Sequence, residues 1–512
     1  MDRMYVPNPQ KWVKYYENIA KGNHNPYINQ SGGGKKKQVG GSLIGSPGTF
    51  MIPIENVGHL ENHSSNPLTV QLVSPAQQTV EQAKTELLSL FSLPLYQSAV
   101  ERMYFQEVRS NSQLTGNIID MEITGKHGME YVDLKRSKLY VKVKLVKGDG
   151  SSLTENEYVG PINLFLQSMF SQVEFTMQGK LVSSTTNHYP YKAMIQTLLS
   201  YGSESKTSQL TSQFWIKDVP GHLDDSDVNN GANSSLNTHS LYFAQSKTSD
   251  MEGPLCHDLF HMDRYILNQV PINVRLTRTR PEFCLMTNEV APDFKVIIED
   301  IVLKACKIQI NPAVIYGHAE ILKSVNAKYP FTNTAVKQIT VAAGTVNFAQ
   351  DQLFQNIRPN RVVVGFVNAL AAAGDYTKNP FNFQHFNLNQ IGVFVDNIPV
   401  SGNLMRLNFD ASSGRTIVPA FSSMFEITDK WTCDSGNQLN RNDFAGGYAL
   451  YCFEIEPNFG DDGSYLHLLK QGNVRLEVQF SSALRDAINC IVYAEYPVYF
   501  EINATRDVIL ER

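Results

Sequence analysis

Asn273-Val274-Arg275-Leu276 opens a strand-like run near the middle of this 512-residue chain, and Asn473-Val474-Arg475-Leu476 opens another 200 positions later. Four matching letters carry little weight alone, but the surrounding order matches too. The first copy is followed by a polar break and the β-rich run Phe294 to Ile310, the second by a break at Ser481 to Asp486 and the run Ile491 to Ile502. Upstream of each lies a hairpin-like segment of related spelling. One is Phe170-Ser171-Gln172-Val173 leading into EFTMQGKLVSS; the other is Leu388-Asn389-Gln390-Ile391 leading into GVFVDNIPVSG. The two halves share hairpin, NVRL strand and long final strand, which reads as a duplicated β-domain. Arg275 and Arg475 are expected at matching positions of the two copies.

A chain of this length exceeds the size of one hydrophobic core, so two or three domains are expected. A hydrophobic content of 42% with 10% aromatics suffices for packed cores, and a net charge of -5 argues against a surface that wraps nucleic acid throughout. The charge is uneven: Arg3, Lys11, Lys14, Lys21, Lys35, Lys36 and Lys37 face only Asp2 and Glu17 in the first 40 residues. No apolar run has the length of a bilayer span and no signal-peptide core opens the sequence, so cytosolic synthesis is expected. Cys256, Cys284, Cys306, Cys433, Cys452 and Cys490 form no CxxC pair and read as reduced, mostly buried thiols. Sequons stand at Asn29, Asn62, Asn233 and Asn503, and without a secretory route they are expected to go unused.

Residues 1–85 read as a flexible basic arm, because SGGGKKKQVGGSLIGSPG is low-complexity and rich in glycine. Trp12, Tyr15, Tyr16 and Ile19 fall at helical spacing and suit a short amphipathic helix, and Glu81 to Leu90 suits another. Beyond the arm, Lys138 to Lys147 alternates apolar and basic residues as a half-buried strand does, and Val173 to Val182 reads as two strands joined at Gln178-Gly179-Lys180. Tyr189 to Tyr201 is the best helix, with an apolar face of Ala193, Ile195, Leu198 and Leu199, and with Gly202 as its stop. Asn311-Pro312 reads as a seam where proline ends a long strand and similar material starts again. In the second half the clearest strands are Arg361 to Val367, Ile391 to Val400, Tyr448 to Ile455 and Val474 to Phe480. Val219 to Asp250 and Thr432 to Gly447 read as long excursions between strands. Many short strands, few helices and long polar loops predict an all-β fold of antiparallel jelly-roll sandwiches.

Catalytic equipment is sparse. Cys256-His257 with His261, flanked by Asp258 and Asp263, is the strongest metal-like cluster, but the general base and remaining ligand of a HExxH site are missing. The segment reads instead as a loop entering the NVRL strand. No nucleophile elbow, phosphate loop or dinucleotide turn is present, and Gly32-Gly33-Gly34-Lys35 has neither a strand before it nor a helix after it. The acidic pairs Asp224-Asp225 and Asp461-Asp462 read as solvated turns without the spaced oxygens of a calcium loop. Lys35, Lys36 and Lys37 are candidate nucleic-acid contacts of modest, salt-sensitive strength, with a solubilising tail as the favoured alternative from these residues alone. No cofactor and no catalytic residue is assigned.

Two blocks, VGPINLFLQSMFSQVEFTMQGKLVSSTTNHYPYKAMIQTLLSYG from Val159 to Gly202 and GPLCHDLFHMDRYILNQVPINVRLTRTRPEFCLM from Gly253 to Met286, resemble the major capsid proteins of Polinton-like and adintovirus-like DNA viruses. The likeness runs from about Glu86 to the C-terminus and leaves residues 1–85 outside it. It implies two consecutive jelly rolls, 86–312 and 313–512, in one chain. It also implies a homotrimer acting as a pseudo-hexameric capsomer, in an icosahedral shell around double-stranded DNA. The expected partners are neighbouring capsomers, penton and minor capsid proteins. The arm, outside the likeness, would be either a capsid-interior segment with Lys35, Lys36 and Lys37 near the genome or a small minor-capsid-type segment fused to the body, and the two excursions would form exposed turrets or clasps between subunits. The expected location is the virion, after synthesis in the host cytoplasm. A competing class is a jelly-roll glycan-binding module, a stable monomer with an aromatic-lined groove.

Overall fold

The computed structural model describes residues 49–53, 69–73, 97–124, 128–155, 157–183, 188–456 and 469–510. It divides into two compact units, Met1–Tyr96 and Gln97–Arg512. In the first unit, Thr49–Pro53 and Thr69–Val73 pair as parallel strands. The expected helices at Trp12 to Ile19 and Glu81 to Leu90, and the lysines 35–37, lie outside the described residues.

The second unit builds one strand order twice. Its first half contains β1 (Val100–Arg109), β2 (Ile118–Ile123), β3 (Glu130–Lys147), β4 (Phe170–Met177), β5 (Lys180–Ser183), β6 (Ser249–Gly253), β7 (Ile272–Arg278) and β8 (Phe294–Ile310). These form a long-strand sheet ordered β1-β8-β3-β6 and a short-strand sheet ordered β2-β7-β4-β5. The second half contains β9 (Ala327–Val341), β10 (Asn347–Gln350), β11 (Arg361–Asn368), β12 (Leu388–Val395), β13 (Ile398–Pro399), β14 (Met405–Arg406), β15 (Leu450–Glu454), β16 (Val474–Phe480), β17 (Ile488–Ile502) and β18 (Val508–Leu510). The corresponding orders are β9-β17-β11-β15 and β10-β16-β12-β13, with β14 added beside β12 and β18 beside β17. All these pairs are antiparallel. Two facing four-strand sheets with these crossings make a jelly roll, and the chain makes two.

The pleat explains which residues line each core. Along β3, Leu139, Val141, Val143 and Leu145 are fully buried while Lys138, Lys142 and Lys144 face outward. Each hairpin closes with two residues of positive φ, Gln178 (50°) and Gly179 (72°) in the first roll, Asp396 (50°) and Asn397 (66°) in the second. Positive φ at both centres defines the turn whose twist suits a two-residue hairpin.

These hairpins fix the register of the repeat and correct one expectation. Met177 pairs with Ile272 in the first roll, and its hairpin counterpart Val395 pairs with Val474 in the second. Both strands then carry a bulge at their far ends, which aligns Thr277 with Gln479. Arg275 therefore corresponds to Glu477, not to Arg475: the two NVRL stretches stand two residues apart in the folds. Because side chains alternate with period two, the slip leaves Val274, Leu276, Val474 and Leu476 all facing inward. Arg275 pairs across the sheet with Asp120 at 2.8 Å, whereas Arg475 lies over the Phe394 ring at 4.9 Å and binds Glu477 at 2.6 Å.

Two further differences concern helices. Asn311 accepts a hydrogen bond from Ala313 N–H and caps α2 (Pro312–Leu322), so Pro312 begins a helix after ending the strand. The expected helix α1 (Tyr189–Ser200) forms, but it is buried nearly all round and is stopped by an extended Tyr201; Gly202 has φ -83°. Asn233 is buried, its side chain bonded to Asp218 at 3.0 Å, which leaves that sequon no room for a glycan. Among the described residues no helix is long and apolar enough to cross a membrane.

The seam between the two rolls as candidate functional site

α1 is buried because it lies between the rolls. It follows β5 in the insertion that separates β5 from β6, and it packs on β4 of its own roll and on β9 and β17 of the other. Tyr191 meets Phe283, Phe381 and Phe383 edge-on, with ring centres 5.9–6.5 Å apart. Phe383 in turn lies over Gly365 of β11, where a Cβ would come within 2.7 Å of the ring. The second roll's long-strand sheet thus presents an apolar outer face, with Val336, Val363, Leu450 and Ile491 each at most 3% exposed.

One buried ion pair of the first roll lies at this seam and bonds across it. Lys192 Nζ of α1 lies 2.5 Å from Asp258 Oδ1, and Asp258 Oδ2 accepts from the backbone N–H of Thr334 on β9 at 2.9 Å. Burial alone would push the Asp258 carboxyl up, but the charge of Lys192 and its neighbours hold it below the ordinary carboxylate range. Gln196 of α1 adds a bond to Tyr493 of β17 at 3.3 Å.

The metal-like segment supplies the acid of this pair. Asp258–His261 forms a single 3-10 turn, and the His257 Nδ1 at its N-terminus accepts from Leu259 N–H. The His257 ring stacks on Phe175 at 5.5 Å, and burial together with the Lys192 charge pushes its pKa down to about 3. Desolvation raises the Cys256 thiol to about 12. Among the described residues no group of three or more His, Cys, Asp or Glu is placed to hold a metal ion.

Lysines close the other end of α1. Lys206 donates to Leu198 O at 3.0 Å and to Asn437 O at 2.7 Å, while Lys430 donates to Leu199 O and Ser200 O at 3.0 and 2.7 Å. The last helical carbonyls, which have no partner within the helix, are thereby satisfied from both rolls. Lys206 is 2% exposed and sits 5.4 Å from the centre of a Trp215 ring; burial, then Lys430 and Lys217, lowers its pKa to about 7.

The excursions meet here too. Gly221 N–H donates to Gly446 O at 2.7 Å, Tyr448 donates to Asp218 O at 2.9 Å, and Lys217 pairs with Asp443 at 2.5 Å. Leu223, Val228, Leu236 and Phe243 of the first excursion are buried, and Asn440 caps a short helix, Arg441–Ala445, in the second. Within one chain the two excursions therefore clasp each other, and their inner sides are packed rather than free. The sequence reading missed Lys192, Lys206 and Lys430 as seam residues, because their partners lie 66 to 231 positions away.

No family model matches the chain. A Caenorhabditis elegans protein, "Uncharacterized protein F54H12.2", is 22% identical over 404 residues, covering 76% of this chain and 92% of that protein. Among solved structures the chain is similar to the Sputnik virophage (TM-score 0.54, 11% identity, 88% of this chain and 94% of that one). It is also similar to the Faustovirus major capsid protein (0.52, 11%, 84% and 94%) and to the PBCV-1 virus capsid (0.51, 10%, 83% and 100%). The fold is a double jelly roll. These structural neighbours are double jelly-roll capsid proteins of giant viruses and virophages.

Proposed function

We propose that this protein is a major capsid protein with a structural, non-enzymatic role. It assembles as a pseudo-hexameric homotrimer into an icosahedral shell around double-stranded DNA, within the Polinton-like and adintovirus-like lineage. The observation that carries this reading is the repeat of one eight-strand topology, first within Val100–Ile310 and again within Ala327–Ile502, inside the compact unit Gln97–Arg512; the domain bounds proposed for the two rolls are 86–312 and 313–512. Three copies would supply six similar sides, fewer association steps than six separate rolls require. Lys192, Asp258, Lys206 and Lys430 are engaged in ion-pair and hydrogen-bond contacts at the seam, which favours architecture over chemistry. Neighbouring capsomers, penton and minor capsid proteins are the partners, and the virion, after cytoplasmic synthesis, is the location. Lys35, Lys36 and Lys37 are proposed to touch the genome from inside.

Expression of this one gene followed by electron microscopy tests the reading: trimers at low concentration and hexagonal arrays under suitable salt are expected. A monomer across the micromolar range with glycan affinity would favour the lectin-like class instead. Deleting residues 1–37 should leave the trimer intact and alter shell assembly, measured by light scattering with and without DNA.

A further inference from the structure

The two rolls share a topology but not a fate for one of their faces. In the second roll the outer face of the long-strand sheet is covered by α1 and the 257–261 turn, both contributed by the first roll. In the first roll the same face carries Met103 and Phe105 of β1, 44% and 48% exposed, and Ile297 of β8, 36% exposed. Around them runs a ladder of opposite charges. Lys144 and Lys142 approach Glu299 at 3.1 and 3.9 Å, Lys138 approaches Glu252 at 3.7 Å, and Lys304 also pairs with Glu252. Register puts these side chains on one surface: Tyr140 stands opposite Val302, which stands opposite Arg109, and one step along Lys138, Lys304 and Glu107 form the next row. Met103, Phe105 and Ile297 are side chains of the kind a partner contact buries at its centre, and the paired half-buried charges around them suit its polar rim, where they favour orientation over tight permanent burial.

We propose that this face, centred on Phe105, Tyr140 and Lys142, receives a second copy of this chain through the insertion between β13 and β15 of that copy's second roll. The inference rests on the capsid reading and specifies its contact. The contact inside the chain is head-to-tail: insertion side of one roll, sheet face of the next. A head-to-tail contact that repeats around an axis closes a ring. Repetition places the second roll's insertion on the next copy's first roll, and six rolls from three chains complete the circle. That insertion exposes Trp431 at 63% and Val418 at 46%, apolar groups fit to cover Met103 and Phe105. The contact between chains is more charged than the seam within a chain. Free chains consequently keep a soluble face until they meet.

The test uses the full-length protein, separated by size into monomer and oligomer, labelled with an amine-acetylating reagent and read by mass spectrometry. Lys138, Lys142 and Lys144 should lose about ten-fold in labelling in the oligomer, while Lys323 at the C-terminal cap of α2, whose side chain is 68% exposed, stays unchanged. Phe105→Asp and, separately, Trp431→Asp should each lower the oligomer fraction by about ten-fold or more. An oligomer in which the three lysines label as in the monomer, and which both variants still form, overturns this contact and leaves the capsid reading standing. A wild-type chain that never oligomerises overturns both.

Discussion

Replacing Lys192 by Met removes the cation of the seam and leaves the Asp258 carboxylate buried with only the Thr334 N–H as partner. Both side chains are nearly inaccessible, 4% and 2% exposed, so water cannot take over. Breaking a buried pair by deleting one member costs about 3–5 kcal/mol, because the remaining charge is stranded. At about 2–4 °C per kcal/mol for domains of 150–250 residues, the melting temperature should fall by about 10 °C. The control is the double variant Lys192→Met with Asp258→Asn. An amide at 258 can still accept from Thr334 and buries no charge, so most of the loss should be recovered, to within about 2 kcal/mol of wild type. The assay is thermal unfolding followed by circular dichroism on the three proteins at pH 7.5. A single variant that melts within 2 °C of wild type, or a double variant as unstable as the single one, would refute the stranded-charge argument.

Other consequences concern packing and pH. Gly365→Ala should cost about 1–3 kcal/mol by overpacking, since its Cβ would lie 2.7 Å from Phe383 Cδ1 and 3.0 Å from Leu450 Cδ2; urea unfolding measures it, and an unchanged midpoint would show that the ring can retreat. Burial lowers His257 to about 3 and His239 to about 4, so below pH 6.5 the unfolded chain takes up protons that the folded chain refuses. Stability should therefore fall as pH drops from 6.5 toward 4, by about 1.4 kcal/mol per pH unit for each histidine, and a flat urea midpoint between pH 7 and 4.5 would contradict it. Lys206 acts at the other end: folded, it releases its proton near pH 7, while unfolded it holds it to about 10.5. The unfolded state binds more protons in that window, so stability rises with pH, and Lys206→Met should abolish up to about 1.4 kcal/mol per pH unit of that rise; equal slopes from pH 7 to 9 in wild type and variant would speak against a depressed Lys206.

Much of the framework was legible where one periodicity dominated. Phe294–Ile310 and Val474–Phe480 were read with the boundaries the fold has, because continuous apolar or strictly alternating runs leave little freedom. α2 was misread although Asn311 and Pro312 are a helix-start signal, since the preceding seventeen-residue strand made the proline look like a strand end. The seam was not legible. Nothing local in Lys192 distinguishes a buried ion-pair partner from a solvated lysine on the polar side of a helix, and its meaning arises only when Asp258 arrives on a distant turn and Thr334 on a distant strand. CHDLFH, read as a loop and not as a metal site, hid its structural role for the same reason: its acid serves the seam and its histidine caps a turn.

The two-residue offset of the NVRL stretches bears on how such a chain can evolve. Once a β-domain has been copied, each copy collects insertions and deletions separately, yet a single-residue change inside a strand would turn its core side chains out to solvent. Changes of two pass unnoticed by the core. Surviving copies should therefore drift relative to each other in even steps, like a zip that can skip only whole pairs of teeth. Letter identity between the halves then marks a shared ancestry without marking equivalent positions, and an alignment of distant relatives is better anchored on turns and bulges than on the repeated word itself.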